Sequence, residues 1–162
     1  MKFAGLEDIN VGDTERWTRT VTEADVVMYG GLIGDRGPLH LDEEFAKNTR
    51  FGGRVAYGML TAGYIGATLA QLLGVRSAYV SQTLNFKGPV LIGDHITVDT
   101  TVSKVNRDTR RIFVDTVVTR GDGKVVLDGE AELFIFRLHS PEEAETAAVE
   151  TADDDSASPA PL

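Results

Sequence analysis

Tyr57-Gly58-Met59-Leu60-Thr61-Ala62-Gly63-Tyr64-Ile65-Gly66-Ala67-Thr68-Leu69-Ala70-Gln71-Leu72-Leu73 decides the fold. It belongs to an apolar run that opens at Val55 and carries no charge. The length suits one buried helix. Gly63 and Gly66 interrupt the run and it lacks membrane-style flanks, so the expectation is a core helix, not a membrane span. From Ala78 the period changes to two. Val80, Gln82, Leu84 and Phe86 alternate with Tyr79, Ser81, Thr83 and Asn85. After Gly88-Pro89 and the Gly93-Asp94 turn signal come Ile96, Val98, Thr100 and Val102, then Ile112, Val114, Thr116 and Val118. Gly121-Asp122-Gly123 signals a hairpin, and Val125, Leu127, Gly129, Ala131, Leu133 and Ile135 form the last run. Consecutive strands joined by short turns are antiparallel. One long helix followed by such a sheet implies an α+β domain with the sheet wrapped around the helix.

Upstream, Glu15 to Thr20 reads as a short first strand. Thr22 is a candidate helix N-cap with Asp25 at the third helical position, and Asp42 is a candidate cap for a second short helix through Ala46. Between them lies Gly34-Asp35-Arg36-Gly37-Pro38-Leu39-His40. Pro38 fixes its own φ and pushes Gly37 away from helical geometry, so the chain should turn here. A turn can bring Asp35 and His40 onto one side. A carboxylate that accepts hydrogen bonds and an imidazole that exchanges protons near neutrality can together orient and deprotonate a water. The alternative is a turn-capping Asp and an ordinary loop His.

Gly58, Ala62, Gly63, Gly66, Ala67 and Ala70 recur at helical spacing, and for most of them a tight core contact is expected. Gly58 is the exception. Near a helix N-terminus its N–H has no intrahelical partner and faces incoming negative charge.

Gly-Asp-x-x-Pro-Leu-His, followed by Phe-Ala and then Gly-x-x-Val-x-x-Gly-Met-Leu, resembles the hydratase motif of the MaoC-like, (R)-specific enoyl-CoA hydratases. The likeness runs from about Thr22 to Pro89, with a compatible strand-rich remainder to about Leu138. The resemblance implies a hot-dog fold and a homodimer paired edge to edge. It implies that Asp35 and His40 form the catalytic pair and that the Gly58 N–H binds the thioester oxygen of a trans-2-enoyl-CoA. It calls for no metal or organic cofactor. The copy departs from the family pattern at Gly37, usually Asn, at Tyr57, often His, and at Gly66, Ser in some members.

The 162 residues fit one domain, expected over residues 1–139, and 42% apolar residues can build a core. Residues 140–162 form an acidic tail too polar to offset its ordering entropy. No cysteine is present, which excludes disulfides and thiolate metal sites. The N-terminus lacks the apolar core of a signal peptide, so a cytoplasmic protein is expected. A net charge of −9 argues against nucleic acid. It also requires local basic groups for an anionic acyl-CoA or acyl-carrier thioester, and Lys87, Arg54 and Arg76 are the candidates. His95 and His139 stand apart from any ligand cluster and read as strand or edge histidines. A hot-dog thioesterase would commonly carry a carboxylate on the central helix, but no Asp or Glu lies between Glu44 and Asp94. A non-catalytic acyl-CoA or acyl-carrier binding module is the alternative from another class.

Overall fold

Helix α4 (Gly58–Leu73) packs against one face of a six-stranded antiparallel sheet, and the computed structural model describes this arrangement over residues 5–138. The strands are β1 (Thr14–Thr20), β2 (Ser77–Gln82), β3 (Asn85–Phe86), β4 (His95–Asn106), β5 (Arg111–Arg120) and β6 (Val125–Ile135). Their order across the sheet is β1-β4-β5-β6-β2, with β3 also paired to β6. Every pairing is antiparallel, as the short turns require. This is the hot-dog arrangement. The acidic tail and His139 lie outside the described residues.

The period-two pattern builds the inner face. Ile96, Val98, Thr100 and Val102 on β4 and Ile112, Val114, Thr116 and Val118 on β5 are buried, while the residues that alternate with them are not. The apolar ones enclose Ile65, Leu69, Leu72 and Leu73 of α4 in one cluster. Each such side chain stabilises the fold by about 1.5–3 kcal/mol relative to an exposed one.

Three helices fill the connection between β1 and α4: α1 (Glu23–Ile33), α2 (Pro38–Leu41) and α3 (Glu43–Lys47). Local chemistry sets their ends. Thr22 and Asp25 form the capping box at the start of α1: Asp25 N–H donates to Thr22 Oγ1 (3.3 Å) and Thr22 N–H donates to Asp25 Oδ2 (2.8 Å). Gly34, at φ 77°, ends α1 in the left-handed conformation. Asp42 caps α3 by accepting from the Phe45 N–H at 3.0 Å.

Two expectations are corrected. The alternating run from Ala78 to Phe86 is not one strand. It breaks after Gln82, and the Thr83 N–H donates to the Glu130 carbonyl at 2.9 Å. Gly129 permits the break: a Cβ there would overlap the Thr83 carbonyl, so only glycine lets the crossing chain settle onto β6. The small-residue stripe of α4 is not a core contact either. Of its members only Ala62 is buried; Gly63 and Ala67 are exposed, and Gly66 and Ala70 are half-buried. The core face of α4 carries the larger Ile65, Leu69, Leu72 and Leu73 instead.

Candidate active site

Asp35 leaves α1 on an exposed turn. Its Oδ1 accepts the Gly37 N–H at 2.8 Å, which fixes the carboxylate over the turn and leaves Oδ2 available. Pro38 then starts α2, where its missing N–H costs nothing. Two residues on, the His40 ring comes back over the same turn. A Cβ placed on Gly37 would lie 3.1 Å from Asp35 Oδ1 and 3.4 Å from His40 Cδ2, so both side chains flank one point. The turn thus brings Asp35 and His40 together. Glycine at 37 keeps the space between them clear.

Residues 54–57 stitch this turn to the rest of the protein. The Val55 N–H donates to the Leu39 carbonyl at 3.2 Å. His40 Nδ1 lies 2.7 Å from the Val55 carbonyl. A carbonyl only accepts, so Nδ1 carries the proton and Nε2 of the neutral ring keeps its lone pair. The Tyr57 hydroxyl donates to the Asp35 carbonyl at 2.6 Å, and its ring stacks on the His40 ring with centroids 3.9 Å apart and planes 28° from parallel. Burial pushes the Tyr57 hydroxyl up from its ordinary pKa, and the Asp35 carboxylate adds to the effect, so it remains a neutral donor.

Tyr57 is also the N-cap of α4, and Gly58 is the first residue of that helix. The Gly58 N–H is therefore one of the four donors an α-helix leaves without an intrahelical acceptor. A cavity of about 290 Å³ is lined by Asp35, His40 and Gly58 together, with Tyr29, Ile33, Tyr57, Met59 and Phe86. A second cavity, about 350 Å³, shares His40, Gly58 and Phe86 and continues toward Arg50, Phe51 and Lys87.

The basic candidates separate. Lys87 lines the second cavity and pairs with Asp128. Arg54 does not reach either cavity. Its Nε donates to the His40 carbonyl at 2.8 Å and its guanidinium pairs with Glu23 at 2.7 Å, so it ties α2 to α1. Arg76 follows the far end of α4, about 24 Å along the helix axis from Gly58, and lines neither cavity. Arg50 and Phe86 enter the site without a motif signal that singled them out, and Tyr57 stood out only as a departure from the motif. Among the described residues there is no cluster of three or more His, Asp or Glu side chains able to hold a metal. No helix there is long and apolar enough to cross a membrane.

A sheet around a central helix, with an Asp–His turn and a helix N-terminus on one cavity, defines a MaoC-like hydratase-class protein. The chain belongs to that family: the model of the MaoC like domain matches residues 11–123. Among its relatives, the 3-hydroxybutyryl-CoA dehydratase of Methylorubrum extorquens is 42% identical over 145 residues, which is 89% of this chain and 90% of the relative. The (R)-specific enoyl-CoA hydratase of Rhodospirillum rubrum is 39% identical over 131 residues, 80% of this chain and 90% of the relative. The solved R-hydratase PhaJ1 of Pseudomonas aeruginosa superimposes with a TM-score of 0.77 at 34% identity, covering 84% of this chain and 92% of that one. The chain is an enzyme of the hydro-lyase type.

Proposed function

We propose that the protein hydrates trans-2-enoyl-CoA to (3R)-hydroxyacyl-CoA and catalyses the reverse dehydration, with Asp35 and His40 as the acid–base pair. One observation carries this reading: Asp35, His40 and Gly58, the first residue of α4, line the same cavity. The relatives named for 3-hydroxybutyryl-CoA and for (R)-specific enoyl-CoA hydration support the substrate class.

The chemistry follows from what each group can do. The open Asp35 Oδ2 and His40 Nε2 hold a water between them. As its oxygen bonds to C3, one of the pair takes its proton. The π electrons shift toward the thioester, whose oxygen gains negative charge. The Gly58 N–H at the helix N-terminus is fixed in advance where that charge develops. A proton from the pair then goes to C2. The sum is addition of H and OH across one double bond, with the pair returned to its starting state. In the dehydration direction the same groups remove the C2 proton and protonate the leaving hydroxyl.

The basic end of the second cavity, with Lys87 and Arg50, offers contacts for the phosphates of the coenzyme arm. The protein acts as a homodimer. Among the described residues β2 is an edge strand with unpaired backbone groups on its outer side, and beside it a groove of about 440 Å³ runs between α4 and β2. Exposed Met59 and Tyr79 line that groove.

Loss of enoyl absorbance with crotonyl-CoA tests the reaction, and a (3R)-specific dehydrogenase coupled to it tests the stereochemistry. Turnover to the (3R) product is expected. Binding of crotonyl-CoA without turnover would replace this reading with a non-catalytic acyl-CoA binding module.

A further inference from the structure

Tyr57 touches both halves of the acid–base pair. Its hydroxyl holds the Asp35 main chain at 2.6 Å, its ring face supports His40 at 3.9 Å, and its own backbone leads directly into the Gly58 N–H. Tyr57 is itself only 4% exposed. The ring also packs against Tyr29, with centroids 5.4 Å apart. The space for the hydroxyl comes from Gly30 on α1. A Cβ on Gly30 would fall on the Tyr57 hydroxyl oxygen, and it would lie 3.1 Å from both the ring carbon bearing that oxygen and the Asp35 carbonyl oxygen. Gly30 is buried, sits mid-helix and has no positive φ, so glycine is not needed there for backbone conformation. Mid-helix glycine is destabilising relative to alanine. Room for the Tyr57 hydroxyl is what offsets that cost.

We infer that Tyr57, seated in the notch left by Gly30, is a positioning residue that sets the spacing of Asp35, His40 and the Gly58 N–H as one unit. The inference rests on the acid–base reading of Asp35 and His40 given above. Tyr57 does not exchange a proton with substrate. Its hydroxyl proton is committed to the Asp35 carbonyl, and the oxygen is enclosed by Gly30. The three reacting groups come from two separate chain segments, the turn after α1 and the start of α4. Leu39 and His40 are hydrogen-bonded to residues 54 and 55, but it is the Tyr57 hydroxyl that ties Asp35 to the approach to α4. Without it the separation of Asp35 from the other two groups would drift, and displacements near 1 Å cost catalysis heavily.

The test uses Tyr57→Phe, Tyr57→Leu, Gly30→Ala and the Gly30→Ala/Tyr57→Phe double variant. Each is read by kcat and KM with crotonyl-CoA and by the NMR resonances of the His40 ring, assigned by their loss in His40→Gln. Tyr57→Phe keeps the stack and removes the tie; kcat should fall about tenfold while KM stays within about twofold. Tyr57→Leu removes the stack as well, so the His40 ring protons should lose their ring-current shift and kcat should fall further. Gly30→Ala should lower kcat in the presence of the hydroxyl and cost markedly less in the Tyr57→Phe background, where the methyl gains room. A Tyr57→Phe enzyme with kcat within twofold of wild type would overturn the inference. So would a Gly30→Ala cost that is the same in both backgrounds. An inactive wild-type protein would instead sink the proposed reaction, while unmoved His40 resonances in Tyr57→Leu would sink the positioning contact. The two failures are therefore distinct.

Discussion

Phe86 stands over Gly58 at the first residue of α4: a Cβ on Gly58 would lie 3.0 Å from Phe86 Cε1 and 3.4 Å from Cδ1. The helix N-terminus is thus open to a substrate oxygen but roofed by an aromatic ring. This allows the Gly58 N–H to be tested alone. Tyr57 has φ −59° and ψ 134°, the conformation a residue before proline adopts, and proline is well tolerated at the first helical position. Gly58→Pro therefore keeps α4 and removes the donor, whereas Gly58→Ala keeps the donor and only presses on Phe86. The expected kcat for Gly58→Pro is roughly 10²- to 10³-fold below that of Gly58→Ala, the range for loss of one oxyanion donor. Equal kcat values in stopped assays of the two folded variants would take Gly58 out of the reaction.

The proposed mechanism has Asp35 and His40 act on one water, so their removal should not be additive. Asp35→Asn keeps the Oδ1 that accepts the Gly37 N–H and loses the ability to take a proton. His40→Ala removes the imidazole. Each should lower kcat by roughly 10²- to 10⁴-fold, with KM moving less. The double variant should be little worse than the poorer single one. Asp35 is exposed, so the Asn variant should melt close to wild type. A folded variant with more than about a tenth of wild-type kcat would remove that residue from proton transfer.

The parts of this fold that were legible in the sequence are those set by neighbours in the chain. The charge-free run over Tyr57–Leu73, the Thr22–Asp25 capping box and the hairpin at Gly121-Asp122-Gly123 each depend on residues a few positions apart. The turn that unites Asp35 with His40 is equally local. What the sequence did not disclose depends on distant contacts. The Gly129 backbone admits Thr83 from 46 positions earlier, as the bond between Thr83 Oγ1 and the Glu130 N–H a residue further on, |i−j| 47, reflects. Arg54 looked like a phosphate ligand by charge alone, yet Glu23 and the His40 carbonyl hold it inside. Tyr57 read as a departure from a motif because nothing nearby shows that Gly30, far back on α1, leaves space for its hydroxyl.

The coenzyme arm should depend on Arg50 and Lys87, not on Arg54 or Arg76. Arg50→Ala and Lys87→Ala should each raise KM several-fold at low ionic strength with kcat nearly unchanged. The effect should shrink as salt screens the phosphates. Arg76→Ala should leave KM unaltered. Steady-state kinetics across a salt series checks this, and a KM rise confined to Arg76→Ala would relocate the arm to the other end of α4.

Asp25 gives the fold an acid-sensitive tie. Burial alone would raise its pKa, but hydrogen bonds from the Thr22 side chain and backbone, together with Arg19, outweigh it and hold the carboxyl below its usual range. A carboxyl depressed in the folded state contributes stability that is present above its unfolded pKa and lost as pH falls toward its folded one. Wild type should therefore melt higher than Asp25→Asn at pH 7, and the gap should close below about pH 4. A gap in melting temperature that stays constant from pH 7 to pH 3 would show that the pair adds nothing through charge.

The proposed dimer surface can be tested without touching the proposed catalytic groups. Gly63 lines the groove between α4 and β2, is exposed, and a Cβ there would meet nothing within 4 Å. In a single chain a larger side chain at this position has room, and glutamate is a better helix former than glycine by several tenths of a kcal/mol. Gly63→Glu should thus leave the isolated subunit as stable as before. Against a second copy it would place a charge in an apolar groove lined by Met59, Tyr79 and Leu84, where an unpaired carboxylate is strongly disfavoured. Wild type should run as a dimer in light scattering at micromolar concentration, and Gly63→Glu should run as a monomer with unchanged circular dichroism. The monomer should also lose most of its turnover if the second copy closes the site, because Met59 belongs both to the groove and to the cavity of Asp35 and His40. A Gly63→Glu protein that remains dimeric would move the interface away from α4 and β2.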